Sequence, residues 1–217
     1  MPNFKSNSDD ERVYKCVAVE PLLEVQDPVV LPKSTLTTLF KKYAQWTDKQ
    51  TVHKYGEIYD ELLQDRDVSM VAEIGVSAGG SIAVWDEYFP AASVHGVDVS
   101  LDHARIVEDG KPMLFGREKV HLYEVNAYDA MFALPFPEVD LFVDDGPHTV
   151  DSQTFAIKYY LPKVRAGGVF VIEDIQSVAD GEYLMQFVPD EWKSSARIVD
   201  ISNETGRYDD RLLIVEK

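Results

Sequence analysis

The chain has 217 residues, of which 45% are hydrophobic, and this is enough to build the core of one domain with a short appendage. Its 21 basic and 38 acidic residues give a net charge of −17, which argues against a nucleic-acid or membrane surface and disfavours a highly anionic substrate. No apolar run approaches the roughly 20 residues that span a bilayer, and the single cysteine, Cys16, excludes an internal disulfide and favours a cytoplasmic protein.

The N-terminal part of the chain divides into an arm and a helical cap. Residues 1–32 are predicted to form an arm or linker, because the start is polar and prolines interrupt the apolar run that follows. Helical spacing begins after Pro32, and a second helix is predicted to carry one apolar stripe, Tyr55, Ile58, Tyr59, Leu62 and Leu63. These helices are expected to form a cap over residues 34–65 of a domain that spans residues 33–217.

From residue 69 onward, short apolar runs alternate with amphipathic stretches. The predicted strands are SMVAEIGV, SVHGVDV, KVHLYEV, VDLFVDD and GGVFVIEDI, followed by two alternating runs, ARIVDIS and RLLIVEK. The segments SIAVWDEYF and SQTFAIKYYLPKV are predicted to be helices. This alternation predicts an α/β fold with a parallel sheet covered on both faces, and the loop containing Gly206 predicts an antiparallel hairpin at the C-terminal end.

A glycine-rich turn, EIGVSAGGS over residues 73–81, lies between the first strand and its helix. The dinucleotide pattern is not met, because Ser77 stands where the second glycine is required. The carboxylate of Glu73 would repel a pyrophosphate and attract a cationic ligand, and S-adenosylmethionine (SAM) carries two cationic groups. Asp98 ends the second strand, where an acid accepts hydrogen bonds from ribose hydroxyls. The alternative for Asp98 is a loop or helix-capping role.

Acidic residues follow the fourth and fifth strands. Asp144 and Asp145 end one strand, Glu173 and Asp174 follow the next, and parallel strand ends meet at one edge of a sheet. With no obvious basic partner these carboxylates should repel one another unless Mg²⁺ or Mn²⁺ binds. His148 is within reach as a base at neutral pH, whereas the alternative for these acids is turn formation and helix capping. The remaining histidines are predicted to be structural: His53, His95, His103 and His121.

These motifs together resemble a known family. EIGVSAGGSIAVWDEYFPAASVHGVDVS, LFVDDGPH and AGGVFVIEDIQ resemble the class I SAM-dependent methyltransferases, and more narrowly the metal-dependent sugar O-methyltransferases of the macrolide type. The upstream segment TDKQTVHKYGEIYDELL is similar to the lead-in of that family. The resemblance covers roughly residues 34–177. It implies a Rossmann-like, seven-stranded sheet, mostly parallel, with helices on both faces and an N-terminal helical cap.

The resemblance also implies roles for individual residues. Asp145 and Asp174 would bind Mg²⁺, His148 would be the general base, and Asp60, which adjoins Glu61, is the candidate for a third acidic ligand. Pro147 stands where the family usually has serine, so the loop before His148 is expected to be stiffer. The predicted cofactor-binding residues are Glu73, Gly75, Gly79, Ser81, Asp98 and Asp144.

The function implied by the resemblance is Mg²⁺-dependent transfer of a methyl group from SAM to a sugar hydroxyl. The acceptor is expected to be neutral and rich in hydroxyls, for example a deoxysugar such as rhamnose on a glycan or glycoside, with two vicinal hydroxyls. Neither nucleic acid nor a membrane is expected as a partner. A homo-oligomer, or fusion to another glycan-modifying domain, is compatible with the sequence.

Three other functions share parts of this pattern. A catechol- or phenol-type O-methyltransferase also uses Mg²⁺ and vicinal oxygens. The cephalosporin hydroxylases have a similar glycine-and-DDG pattern, but their chemistry needs iron with histidine ligands, which His148 alone does not supply. A SAM-binding module without turnover is the third, and the intact histidine and acids argue against it.

Overall fold

The structure, a computed structural model, describes residues 34–129 and 138–217, so the predicted arm over residues 1–32 lies outside the described residues. None of the described helices has the length and apolar character needed to cross a bilayer. In chain order the elements of the described residues are α1 (Leu36–Lys42), α2 (Tyr55–Leu63), β1 (Met70–Ile74), α3 (Gly80–Tyr88), β2 (Ser93–Asp98), α4 (Asp102–Arg105), β3 (Val120–Glu124), β4 (Val139–Asp144), α5 (Val150–Tyr159), β5 (Val164–Ile172), α6 (Val178–Met185), β6 (Ala196–Asp200), α7 (Ser202–Thr205) and β7 (Arg211–Glu216).

All seven strands form one sheet in the order β3-β2-β1-β4-β5-β7-β6. Strands β1 to β5 run parallel, and β7 runs antiparallel to both β5 and β6. The predicted α/β class, a seven-stranded mostly parallel sheet with an antiparallel C-terminal hairpin, is therefore confirmed. The strand order reverses between β1 and β4, and in open α/β sheets ligands bind in the crevice at such a point, outside the carboxyl ends of the strands.

The central strands are apolar because both faces of the sheet are covered. All six residues of β4 are buried, as are the last five of β5. Val71 and Leu141 belong to the core on the face covered by α1, α2 and α3. On the opposite face, with α5 and α6, Phe142 stacks against Phe170 and Tyr160, with ring centroids 5.4 and 4.9 Å away.

The two cap helices are held on the sheet by aromatic contacts. Phe40 of α1 and Tyr59 of α2 both pack edge-on against the indole of Trp85 in α3, with ring centroids 5.4 and 5.2 Å away. The backbone amide of Gly80 donates to the carbonyl of Trp46, in the α1–α2 connection, at 3.1 Å. The cap therefore packs directly on the helix that follows the glycine-rich turn.

The ends of β1 and β4 meet at Gly75. The amide of Asp145, after β4, donates to the carbonyl of Ile74 in β1 at 2.9 Å. On the other side, the amide of Gly75 donates to the carbonyl of Val97 in β2 at 2.8 Å. Gly75 has a φ of +96°, and a Cβ at this position would overlap the backbone carbonyl oxygen of Asp145. Glycine here therefore lets the two strand ends approach closely enough to share one cavity.

Replacement of Gly75 by alanine tests this close approach. Gly116 also has a positive φ, +86°, but its Cβ position is open, so Gly116→Ala is expected to cost about 1–2 kcal/mol for the backbone conformation alone. Gly75→Ala should lower the free energy of unfolding by clearly more, because the Asp145 carbonyl must also move. Urea denaturation of both variants measures the difference. Equal losses would show that the overlap with Asp145 does not matter.

Candidate active site

A cavity of about 490 Å³ opens at the carboxyl ends of β1, β2, β4 and β5. A second cavity of about 320 Å³ lies against the α1–α2 connection and shares Asp48, Gly75, Ser77 and Asp145 with the first. The crevice predicted from the strand order is therefore present. The charged residues that line the larger cavity are Asp48, Asp98, Asp145, His148 and Asp174.

Three of the predicted site residues meet in this cavity. Asp145, His148 and Asp174 each offer a ligand atom within 4.8 Å of the others. His148 Nε2 lies 3.6 Å from Asp174 Oδ2 and 4.0 Å from Asp145 Oδ1. All three side chains are partly accessible. The arrangement offers two carboxylates and an imidazole to a ligand.

The backbone is strained at three positions around the larger cavity. Ser77, His148 and Asp174 have φ values of +46°, +54° and +55°, a region that side-chain-bearing residues seldom adopt. All three residues line the larger cavity. Strain of this kind persists where the surrounding structure fixes a conformation, and it clusters at functional sites.

A buried lysine, Lys49 of the α1–α2 connection, is the basic partner that the sequence analysis did not find. Only 1% of its side chain is exposed. Its Nζ donates to Asp145 Oδ2 at 2.6 Å, bonds Glu173 Oε2, and lies 3.7 Å from Glu73 Oε1. The expectation of unpaired carboxylates was therefore wrong. Lys49 lies in the segment TDKQ, within the stretch that resembles the lead-in of the family, but its spacing does not indicate which strand end it meets.

The charges around Lys49 decide its protonation. Burial alone would lower its pKa, but the negative charges of Asp145, Glu173 and Glu73 outweigh burial and raise the pKa well above its usual value, so Lys49 is a cation. Burial and the neighbouring charge of Asp145 raise the pKa of Asp174. Lys49 alone does not neutralise all the carboxylates of the cluster. A divalent cation would stabilise their remaining negative charge.

The predicted cofactor-binding residues occupy two different environments. Asp98 lies on the cavity wall, where its Oδ2 accepts the backbone amides of Val76 and Ser77, both at 2.9 Å. Glu73 is completely buried, and it accepts hydrogen bonds from the Ser81 hydroxyl at 2.6 Å and from the Trp85 indole. The cation that Glu73 meets in the structure is Lys49.

Two further residues predicted to bind the cofactor, Gly79 and Asp144, lie next to the cavities but do not line them. Gly79 is the N-cap of α3 and has a φ of +91°. Asp144 is buried and accepts a hydrogen bond from the hydroxyl of Tyr128, whose side chain lines the larger cavity. Burial, followed by the charge of Asp145, raises the pKa of Asp144 to about 7 against the opposing effect of the Tyr128 hydrogen bond.

Cap residues also contact Asp174, which follows β5. Tyr55 donates its hydroxyl to Asp174 Oδ1 at 2.6 Å, and its ring stacks on His53 at 4.8 Å. His53 is buried and bonds Asp210 Oδ1 through Nδ1, and Arg207 Nε lies 3.8 Å from the same oxygen. Burial would lower the pKa of His53, but the neighbouring acids Asp48, Asp174 and Asp210 raise it to about 9.

Asp60 is not brought to the acid cluster. Its two carboxylate oxygens accept the backbone amides of Leu36 and Thr37 at 2.5 and 3.2 Å, so it satisfies the free amides at the start of α1. The adjoining Glu61 is exposed on α2. The prediction of Asp60 as a third metal ligand is thus replaced by a capping role. An acid on an amphipathic helix has the same sequence pattern in either role.

The chain is similar in sequence to known methyltransferases. Residues 72–175 match a family model described as a methyltransferase domain. The chain is 30% identical over 188 residues to the 8-demethyl-8-alpha-L-rhamnosyl tetracenomycin-C 2'-O-methyltransferase of Streptomyces olivaceus, covering 78% of this chain and 46% of that protein. It is 27% identical over 137 residues to the mycinamicin VI 2''-O-methyltransferase of Micromonospora griseorubida, covering 57% and 32%. The chain thus spans less than half the length of these relatives.

Solved structures share the fold. The MycE methyltransferase in complex with Mg, SAH and mycinamycin VI superposes with a TM-score of 0.62 at 22% identity, covering 85% of this chain and 54% of that one. An O-methyltransferase from Bacillus cereus in complex with SAH gives 0.58 at 16% identity, covering 87% and 94%. Residues 72–175 are therefore similar to a methyltransferase domain, and the sheet has the fold of these SAH-bound structures. Its sequence resembles the sugar O-methyltransferases of macrolide and polyketide pathways.

The capping role of Asp60 can be tested by mutation. Asp60→Ala is expected to lower the free energy of unfolding by about 1–2 kcal/mol, because two amides at the start of α1 lose their acceptor. Its divalent-metal affinity should equal that of the unmodified protein. Glu61→Ala is the matched control and should leave both quantities unchanged. Chemical denaturation and metal titration measure them, and a loss of metal affinity in Asp60→Ala would restore the ligand role.

Proposed function

We propose that the protein transfers a methyl group from SAM to a hydroxyl of a sugar, with Mg²⁺ or Mn²⁺ as a second cofactor. The observation that carries the proposal is the convergence of Asp145, His148 and Asp174 in the cavity that also contains Gly75 and Asp98. The proposed catalytic domain is residues 33–217. The names of the relatives support a sugar as the acceptor.

SAM would lie along the β1 and β2 ends. Asp98 would accept hydrogen bonds from the ribose hydroxyls, as acids do at this position of nucleotide-binding sheets. The turn from Gly75 to Gly79 would hold the methionine part, and Glu73 would support that turn through its hydrogen bond to Ser81. SAM supplies the electrophilic methyl group.

The acid cluster fits a hard divalent cation. Asp145 Oδ1 and Asp174 Oδ2 face His148, and carboxylate oxygens are the donors that Mg²⁺ and Mn²⁺ prefer. These two residues would hold the metal. When bound, it supplies positive charge that lowers the pKa of an acceptor hydroxyl.

His148 would act as the general base. Its Nε2 accepts the hydroxyl proton while the acceptor oxygen forms a bond to the methyl carbon, and the carbon–sulfur bond breaks with its electron pair remaining on sulfur. The products are a methyl ether, S-adenosylhomocysteine (SAH) and a protonated imidazole. Because the His148 side chain is 31% exposed, its proton can pass to solvent.

The charge of the cavity restricts the acceptor. Asp48 and Asp98 add negative charge to a wall that already holds Asp145 and Asp174, and this disfavours an anionic acceptor. A neutral, hydroxyl-rich sugar suits such a wall. A deoxysugar such as rhamnose on a glycoside is the proposed class.

A substrate screen tests the proposal. The protein is incubated with SAM and rhamnosides, other glycosides or catechol, with Mg²⁺ or with EDTA, and products are measured by mass spectrometry with linkage analysis. Methylation of a glycoside that stops in EDTA and returns with Mg²⁺ is expected. Methylation of catechol alone would support the phenol-type alternative. Full activity in EDTA would contradict the metal-dependent reaction.

His148→Ala tests the base. Turnover is expected to fall roughly 10²–10⁴-fold, the usual contribution of a general base, while SAH affinity measured by calorimetry is retained. His121→Ala is the control, because His121 lies on β3 and stacks against His95. Unchanged turnover in His148→Ala would remove this residue from the mechanism.

A further inference from the structure

The two acids proposed to hold the metal share a feature that their sequence positions do not indicate. Each has one carboxylate oxygen bound by the N-terminal cap. Lys49 Nζ donates to Asp145 Oδ2 and the Tyr55 hydroxyl donates to Asp174 Oδ1, both at 2.6 Å. The donors come from the α1–α2 connection and from the first residue of α2.

The other oxygen of each acid faces the cavity. Asp145 Oδ1 lies 4.0 Å and Asp174 Oδ2 lies 3.6 Å from His148 Nε2. The cap therefore holds one oxygen of each carboxylate and leaves the second directed at the cluster. A carboxylate held in this way cannot turn its free oxygen away from the cluster without breaking its hydrogen bond to the cap.

Both donors are themselves fixed. Besides Asp145, the Lys49 ammonium group bonds Glu173 and lies close to Glu73. Its side chain is almost completely buried. Tyr55 is completely buried and stacks on His53. Rigid donors transmit their own position to the groups that they bind.

We propose that Lys49 and Tyr55 are positioning residues that orient Asp145 and Asp174 for a divalent metal. This inference rests on the proposed function, since it concerns the same metal. Hydrogen-bonding partners of metal ligands pre-orient the ligands, and losing such a partner costs roughly 10–100-fold in metal affinity. The cap is then part of the metal site although it supplies none of the proposed ligands.

A purely electrostatic role for Lys49 predicts the opposite result. If the ammonium group only offset negative charge, its removal would leave the cluster more negative and Mn²⁺ would bind more tightly. Positioning predicts weaker binding. For Tyr55, whose hydroxyl is neutral, removal leaves the charge unchanged and tests orientation alone.

The experiment uses Mn²⁺ as the probe, with free Mn²⁺ measured by electron paramagnetic resonance and Mg²⁺ added in competition. Tyr55→Phe and Lys49→Met are each expected to weaken Mn²⁺ binding roughly 10–100-fold. SAH affinity of Tyr55→Phe should not change and the variant should still unfold cooperatively, which separates positioning from a general loss of structure. If Lys49→Met does not fold, Tyr55→Phe decides.

The cap offers matched controls. Tyr43 donates its hydroxyl to Glu87 at 2.8 Å, and Lys42 pairs with the same carboxylate at the surface. Tyr43→Phe and Lys42→Met remove the same groups from the same part of the chain away from the cavity. Both should bind Mn²⁺ as the unmodified protein does.

The outcomes separate this inference from the proposed function. If the unmodified protein binds no Mn²⁺, the metal is removed from both the proposed function and the positioning inference. If the unmodified protein binds Mn²⁺ and Tyr55→Phe binds it equally well, the positioning inference fails and the proposed function stands. Tighter binding by Lys49→Met would assign Lys49 to charge compensation and overturn its positioning role.

Discussion

One buried ammonium group connects the parts of this site. Lys49 comes from the cap, and the carboxylates around it belong to Glu73 on β1, Asp145 after β4 and Glu173 after β5. Without a cation these three carboxylates would repel one another, and the two buried ones, Glu73 and Glu173, would lose their hydration without compensation. The lysine relieves that repulsion and also ties three strand ends to a segment that lies outside the sheet. Cap, glycine-rich turn and acid cluster therefore depend on one another.

The fold and the acid cluster were predictable because their signals are local. Continuous apolar runs indicate strands covered on both faces. Parallel strands present their carboxyl ends at one edge, so residues that follow β4 and β5 must be neighbours. Asp145, His148 and Asp174 were found by that rule, and the structure brings them together. The glycine at the end of β1 was found in the same way.

The partners of these residues were not predictable, because they are distant in sequence. Lys49 is 96 residues from Asp145, and Tyr55 is 119 residues from Asp174. Nothing in the spacing of the cap residues indicates which strand end they will meet. The charge argument for Glu73 correctly required a cation, yet the cation beside it is the chain's own lysine. The prediction of Asp60 as a metal ligand failed for a related reason. Only the packed structure distinguishes an acid that caps a helix from one that binds a metal.

The position of β7 has a consequence for biosynthesis. This strand lies inside the sheet, between β5 and β6, and β6 pairs with β7 on one side only among the described residues. While the chain is being synthesised, β6 therefore leaves the ribosome before the strand that attaches it to the sheet exists. Asp210, whose side chain bonds His53 in the cap, immediately precedes β7. The cap thus gains its contact with Asp210 only after this residue has emerged, and a nascent chain that stalls before β7 exposes an incomplete sheet edge to chaperones and proteases.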